Sequence, residues 1–383
     1  MSVYLDFNAS SPIDERVLDY MIDVYRHSYG NADSRTHNFG NQARTIVEEA
    51  RSQVAAILSV QKDEVFFTSG ATESNNIALQ GLRDYALATG KTHIITSAIE
   101  HKSVLETVKR MGQEGFKIDY VTPGLSGRVS ASEILNLVRE DTLLVSLMHV
   151  NNETGIVQPI QEVGEDLSNK EVFFHVDATQ SFGKLVDELK STKYNMLSMS
   201  AHKIGGPQGV GALILRKNRY KLPPVKGIMY GGQQEHGIRP GTVPVALVAG
   251  LGKACELNHI EYKENLKKCN DIKMALFNCL KKADINYEFN GDQEYCVPNA
   301  MNVCLHGVSS EALMLAAKQY CSVSNGSACN SNSYNPSFVL TAMGIPADQI
   351  DNSIRISWGP ESDLEDTVNA FEDMLKVAKG LIF

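Results

Sequence analysis

The first 254 residues contain no cysteine, and the seven that follow are never closer than eight residues apart. No CxxC unit exists, which excludes the usual zinc-ribbon, thioredoxin-type and c-type haem spacings. The odd count also argues against a secreted disulfide framework, because one thiol would be left over. Basic residues are not in excess. Lys plus Arg is 36 against 45 Asp plus Glu, so the net charge is −9 and a nucleic-acid footprint is absent at the level of the whole chain. No run of 18 apolar residues occurs, so no membrane-spanning helix is expected. The start, MSVYLDFNASSPIDERV, has no basic segment followed by an apolar stretch, and a cytoplasmic rather than secreted protein is expected. The N-x-S/T triplets at Asn152 and Asn325 then read as chance occurrences. No internal repeat, low-complexity tract or Pro-rich linker stands out.

With 383 residues there is room for two domains, at roughly 100–200 residues each. Positions 14–28 and 42–58 carry apolar residues at helical spacing. Short apolar runs then alternate with helical patterns: Val65 to Phe67, Ile94-Ile95, Ile118 to Val121, Leu143 to Val150, Val172 to Val176, Met196 to Met199 and Ala212 to Leu215. Each reads as a buried strand of a mostly parallel sheet in an α/β fold, with ligand sites at the carboxyl ends of strands. The character changes near residue 255. A charged helical stretch, Cys255 to Lys282, precedes strand-like segments at Ala300 to Leu305 and Cys321 to Ser324. The expected division is a large α/β domain over 15–254 and a small α+β domain over 1–14 and 255–383.

Several nucleotide and metal signatures fail. Ala88 to Thr92 resembles the end of a Walker A loop, but the position five before Gly90 is Tyr85 rather than glycine. Gly205 to Gly211 has the wrong spacing for a dinucleotide fold, and the ten histidines include no HExxH. No metal site is expected.

Four strand-end segments instead have the composition of one active site. Thr68 to Ser74 places small residues at a helix start, where backbone N–H groups bind phosphate; an ordinary N-cap has the same composition. Asp177 closes an apolar strand, where a carboxylate needs a cation or a donor. Lys203 lies between a strand and a glycine turn, poised for desolvation and nucleophilic use. Asp177 precedes Lys203 by 26 residues, one strand–crossover–strand interval. An acid for a pyridinium nitrogen and a Schiff-base lysine are the pair that pyridoxal phosphate requires. His101, just after the strand Ile94 to Ser97, is placed to lie on a cofactor ring and relay protons. Asn152, following a strand that ends at Val150, completes a polar rim. Each segment alone has a bland reading as cap, ion pair or surface charge; the set in this order does not.

The segments YLDFNASSP, TSGATESNN, EHKSV, HVNNETG, HVDATQSFGK, SAHKIGGPQGVG, IRPGT, SNGSACNSN and SIRISWG span nearly the whole chain. In this order they resemble the pyridoxal-phosphate-dependent cysteine desulfurases of the NifS/IscS family. The resemblance implies fold type I, the aspartate-aminotransferase type, and carries roles residue by residue. Lys203 would bind the cofactor covalently, Asp177 would hold its ring nitrogen protonated, and Gln180 would contact the ring hydroxyl. His101 would stack on the ring, and Ala71, Thr72, Ser200 and His202 would bind the phosphate. Thr242 would reach the phosphate of the other subunit, which implies a homodimer. Asn152 would sit beside the cofactor and substrate, and Arg355 would clamp the substrate carboxylate, a task suited to a bidentate guanidinium.

The nucleophile implied is Cys329, in a loop of about 322–335 rich in Gly, Ser and Asn. No Lys, Arg or His occurs between Lys318 and Arg355, so local sequence does not lower its pKa, and His101 is the nearest candidate activator. The expected reaction converts L-cysteine to L-alanine and leaves a persulfide on Cys329 for an acceptor protein. The motif GGQQEHGIRP at 231–240 resembles the branch that supplies sulfur for DNA phosphorothioate modification. The short stretch after the last helical pattern, 363–379, also speaks against an iron–sulfur scaffold as acceptor. Sulfur supply for iron–sulfur clusters or tRNA thiolation is the alternative. A PLP aminotransferase, a selenocysteine lyase and a non-enzymatic partner-binding platform are the rival readings. With a net charge of −9, the chain is expected to hand sulfur to a protein and to touch neither DNA nor a membrane.

Overall fold

A computed structural model describes residues 2–325 and 336–382. Twelve strands are present among them: β1 (Val3–Tyr4), β2 (Val65–Thr68), β3 (His93–Ser97), β4 (Lys117–Val121), β5 (Thr142–Met148), β6 (Phe173–Asp177), β7 (Met196–Ser200), β8 (Gly211–Leu215), β9 (Tyr287–Phe289), β10 (Ala300–Leu305), β11 (Cys321–Ser322) and β12 (Ser353–Ser357). Seven of them form one sheet in the order β2-β8-β7-β6-β5-β3-β4. Only β8 runs against the rest, antiparallel to both β2 and β7.

The apolar runs are continuous because this sheet is buried on both faces. Period-two alternation sorts them. Phe67, Ile95, Val145, Leu147, Phe174, Val176, Leu197 and Met199 enter one core. Phe66, Ile94, Leu144, Met196, Leu213 and Leu215 enter the other.

A second sheet, β12-β10-β9, is antiparallel and builds its own core around Met301, Val303, Ile354, Ile356, Trp358 and Phe371. The amino-terminal residues belong with this sheet: β1 pairs in parallel with β11, and Phe7 and Asn8 donate to Ser357. One 38-residue helix, Val245–Lys282, serves both cores. Val248, Leu251 and Cys255 pack on the large sheet, and Cys269, Ile272 and Leu276 on the small one. It begins ten residues before the stretch expected from sequence, so the expected boundary at 254 falls inside it. Its first turns are too uniformly apolar and small to show a helical stripe. The strand β9 was not expected either; three residues give too short a pattern to read.

The described cysteines carry no disulfide, and all but Cys296 are fully buried. Burial pushes the Cys269 and Cys321 thiols up to about 12. Among the described residues no helix is long and apolar enough to cross a membrane, and no cluster of three or more His, Cys, Asp or Glu could hold a metal ion.

Candidate active site

The strands β2, β3, β5, β6 and β7 point the same way, so the residues after them collect along one edge of the sheet. There they line a cleft of about 550 Å³. Gly70, Ala71 and Thr72 come from the turn after β2, His101 from beyond β3, and Asn152 from beyond β5. Asp177 ends β6, while Ser200, His202 and Lys203 lie at and beyond the end of β7. Asn8, Ala9 and Ser10 from the amino terminus and Arg355 from β12 close the opposite wall.

The Lys203 amine meets no carboxylate. Its Nζ donates to the backbone carbonyls of Asn8 (2.5 Å) and Ala9 (2.7 Å). Burial, followed by the charges of Lys184 and Arg355, pushes its pKa down to about 7. An amine there is substantially unprotonated at neutral pH, which is what a nucleophilic lysine needs. His202 is likewise held neutral, pushed to about 4 by burial and by Lys203.

Asp177 is buried and held by three donors. Thr179 N–H (3.0 Å) and Oγ1 (2.5 Å) reach Oδ1, and the Asn75 amide reaches Oδ2 at 2.8 Å. His101 is the N-cap of the helix Lys102–Gln113. Its Nδ1 accepts from Ser103 N–H at 3.1 Å, and Ser103 Oγ lies 2.8 Å away. Burial lowers its pKa; Asp177 opposes this and Lys203 adds to it. The histidine is thus both a helix cap and a wall of the cleft.

The phosphate-type cradle rests on Gly70. It caps the helix Ala71–Gln80 without a side chain, so the first-turn N–H groups have no side-chain acceptor and stand at the cleft. Its φ of +150° favours glycine, and a Cβ there would stand 3.5 Å from Ser200 Oγ. Glu73 braces the turn: it accepts from Ser69 N–H and pairs with Arg239 at 3.1 Å. The 231–240 segment that holds Arg239 is fixed in turn by Glu235, which is buried and bidentate to Arg51 (2.7 and 2.8 Å).

Arg355 is buried, not an exposed edge charge. Nη2 pairs with Asp6 at 2.6 Å, Nη1 donates to Asn152 O at 3.0 Å, and Nε has no partner among the described residues. The side-chain oxygens of Asn152 and Gln180 are also buried without a partner among the described residues, although Gln180 Nε2 donates to Asn8 O. Eleven of the twelve expected site residues have described positions, and ten of these line the one cleft. Thr242 does not; it is exposed and does not line the cleft. Cys329 lies outside the described residues. Five residues before it, Ser324 exchanges backbone hydrogen bonds with Arg355. Sequence reasoning missed Asn75, Ser103, Asp6 and Asn8. The first two lie inside quoted motifs, and Asp6 and Asn8 in the unassigned amino-terminal one.

Residues 3–370 match the aminotransferase class-V family. The cysteine desulfurase IscS of Proteus mirabilis is 41% identical over 377 residues, covering 98% of this chain and 92% of that one. Among solved structures, a NifS-like protein covers all of both chains with a TM-score of 0.91 at 35% identity. DndA from Streptomyces lividans reaches a TM-score of 0.81 at 42% identity, covering 93% of this chain and 99% of that one. The chain therefore belongs to the class-V aminotransferases, enzymes built on the pyridoxal-phosphate-dependent aminotransferase fold. Within that family it is a cysteine desulfurase of the IscS/NifS-like group.

The cleft fits pyridoxal phosphate on its own chemistry. A lysine bonded only to carbonyls, a buried carboxylate facing the same space, a side-chain-free helix start and an unpartnered Gln180 oxygen match the aldehyde, ring nitrogen, phosphate and ring hydroxyl of that molecule.

Proposed function

We propose that this desulfurase takes the sulfur of L-cysteine onto Cys329 and passes it to an acceptor protein of DNA phosphorothioate modification. The balance is simple. The C–S bond of cysteine breaks, an S–S bond forms at Cys329, and the products are L-alanine and a Cys329 persulfide. Pyridoxal phosphate, when bound, supplies the electron sink that makes Cα acidic.

The chain's residues divide the remaining work. Lys203 holds the cofactor and exchanges the Cα proton. Asp177, oriented by Asn75 and Thr179, would pair with the ring nitrogen. Ala71, Thr72, Ser200 and His202 hold the phosphate, and Gln180 meets the ring hydroxyl. Arg355, its Nε free of protein partners, receives the substrate carboxylate beside Asn152. Thr242, exposed in one chain, completes the phosphate site of a second copy in a homodimer. The observation that carries the reading is the shared cleft: the amine, the acid and Arg355 line one space, and Arg355 also pairs with Ser324, five residues before Cys329.

The likeness to DndA and the 231–240 motif support the phosphorothioation branch over iron–sulfur supply or tRNA thiolation. Incubation with cysteine, wild type beside Cys329→Ser, tests the chemistry. Alanine and a protein persulfide should form only in the wild type; alanine formation that survives the substitution would show a different route. Faster sulfur transfer to an iron–sulfur scaffold than to a DNA-modification partner would reverse the choice of branch.

A further inference from the structure

His101 has two ring nitrogens, and which one carries the proton decides whether it gives or takes a hydrogen bond in the cleft. The network behind the ring answers this in four steps. Asp177, as a carboxylate, only accepts, so the group 2.8 Å from its Oδ2 must be the Asn75 amide nitrogen and not the amide oxygen. That same nitrogen lies 2.8 Å from Ser103 Oγ, so its second hydrogen goes there. Ser103 Oγ, now an acceptor, still has its own proton to place, and its remaining partner is His101 Nδ1 at 2.8 Å. Ser103 N–H, which can only donate, points at the same Nδ1 from 3.1 Å. Nδ1 is an acceptor on both counts, so the neutral ring carries its proton on Nε2. Nε2 has no protein partner among the described hydrogen bonds, and the ring lines the cleft.

We propose that Asp177 sets the tautomer of His101 through the positioning residues Asn75 and Ser103, so that His101 presents an Nε2–H donor to the cleft. One chain of hydrogen bonds then couples the Asp177 carboxylate to the His101 imidazole. His101 thereby works first as a donor, steadying negative charge on sulfur or oxygen. It does not begin as a base. This rests on the reading of the cleft as the desulfurase site, but the assignment of the tautomer does not.

The test is ¹⁵N NMR of the histidine-labelled full-length protein, before and after pyridoxal phosphate is added, with the His101 signals identified by their loss in His101→Gln. The wild type should show a pyridine-type Nδ1 and a pyrrole-type Nε2 at pH 8 to 9, where the ring is neutral. Ser103→Ala and Asn75→Ala should both pull the two shifts part of the way toward an averaged value, the Ser103 N–H still donating to Nδ1, although residue 75 does not touch the ring. Ser103→Thr, which keeps the hydroxyl, should restore them. With cysteine as substrate, Ser103→Ala should lower kcat about 5- to 10-fold with KM unchanged, the worth of one ordinary hydrogen bond. A pyrrole-type Nδ1 in the wild type would overturn the proposal. So would shifts that stay put in both Ser103→Ala and Asn75→Ala. Failure of cysteine turnover with the expected shifts intact would count against the desulfurase reading instead.

Discussion

The Lys203 amine is the group whose protonation the fold controls most visibly, and Lys184 is the lever with which to test that control. Both lysines line a second, smaller cavity of about 200 Å³ behind the cleft, together with Phe7, Trp358 and Cys269. Lys184 has no hydrogen-bonded side-chain partner among the described residues, and burial pushes it down to about 8. Two amines on one cavity wall disfavour each other's charge. Burial remains the larger cause at Lys203, so removing Lys184 relieves only part of the depression. A like-charge repulsion of roughly 1 kcal/mol corresponds to about 0.7 of a pH unit. Lys184→Met should therefore move the Lys203 midpoint from about 7 to a little under 8. The assay is brief acetylation of the cofactor-free protein across pH 5–11, with each lysine read by mass spectrometry and exposed lysines as reference. Only the neutral amine reacts, so the curve reports the midpoint directly. The linkage has a definite sign. The folded value lies below the unfolded one, so this site costs stability below about pH 7 and the cost fades as pH rises toward the unfolded value. A wild-type midpoint at the ordinary lysine value of about 10.4 would refute the desolvation argument. A Lys184→Met midpoint that stays still or falls would refute the like-charge one.

Two further outcomes follow from named contacts. Glu100 is fully buried, accepts from Ser97 Oγ and Met148 N–H, and leaves Oε2 without a partner, so burial lifts its pKa to about 8. Its stabilising contribution is complete below the unfolded value and is lost as pH rises to about 8, so Glu100→Gln should raise Tm by roughly 2–4 °C at pH 8 and hardly at all at pH 5. Equal effects at both values, measured by calorimetry, would contradict this. Gly70→Ala would force a side chain into the φ +150° position beside Ser200, and should weaken pyridoxal phosphate binding at least about 10-fold in an absorbance titration. Unchanged affinity would remove Gly70 from the cradle.

The large sheet was readable from sequence because its strands are buried on both faces, so each appears as an unbroken apolar run with polar residues at the exit. All seven runs became strands of that sheet. The single antiparallel member, β8, could not be read, because strand direction depends on the crossover and leaves no mark on composition. The helix Val245–Lys282 was half seen for a related reason. Its charged second half shows a pattern, whereas Ala246 to Ala254 packs nearly all round and shows none.

At the site, legibility followed the kind of atom each residue contributes. Lys203, Asp177, His101 and Arg355 announce themselves by side chains that are costly at strand ends. Asn8 does not, because its backbone carbonyl does the work: it accepts from both Lys203 Nζ and Gln180 Nε2. Any residue type could present that carbonyl, so no pattern marks it. Asn75 and Ser103 were hidden differently. Each looks like an ordinary polar residue near a helix start, the commonest place for one. What they do is defined only by direction, an amide hydrogen toward Asp177 and, in the proposed network, a hydroxyl hydrogen toward His101. Composition can say that donors and acceptors are near a site. Only the geometry says which way the hydrogens point, and here that direction separates a histidine that donates a hydrogen bond into the cleft from one that accepts it.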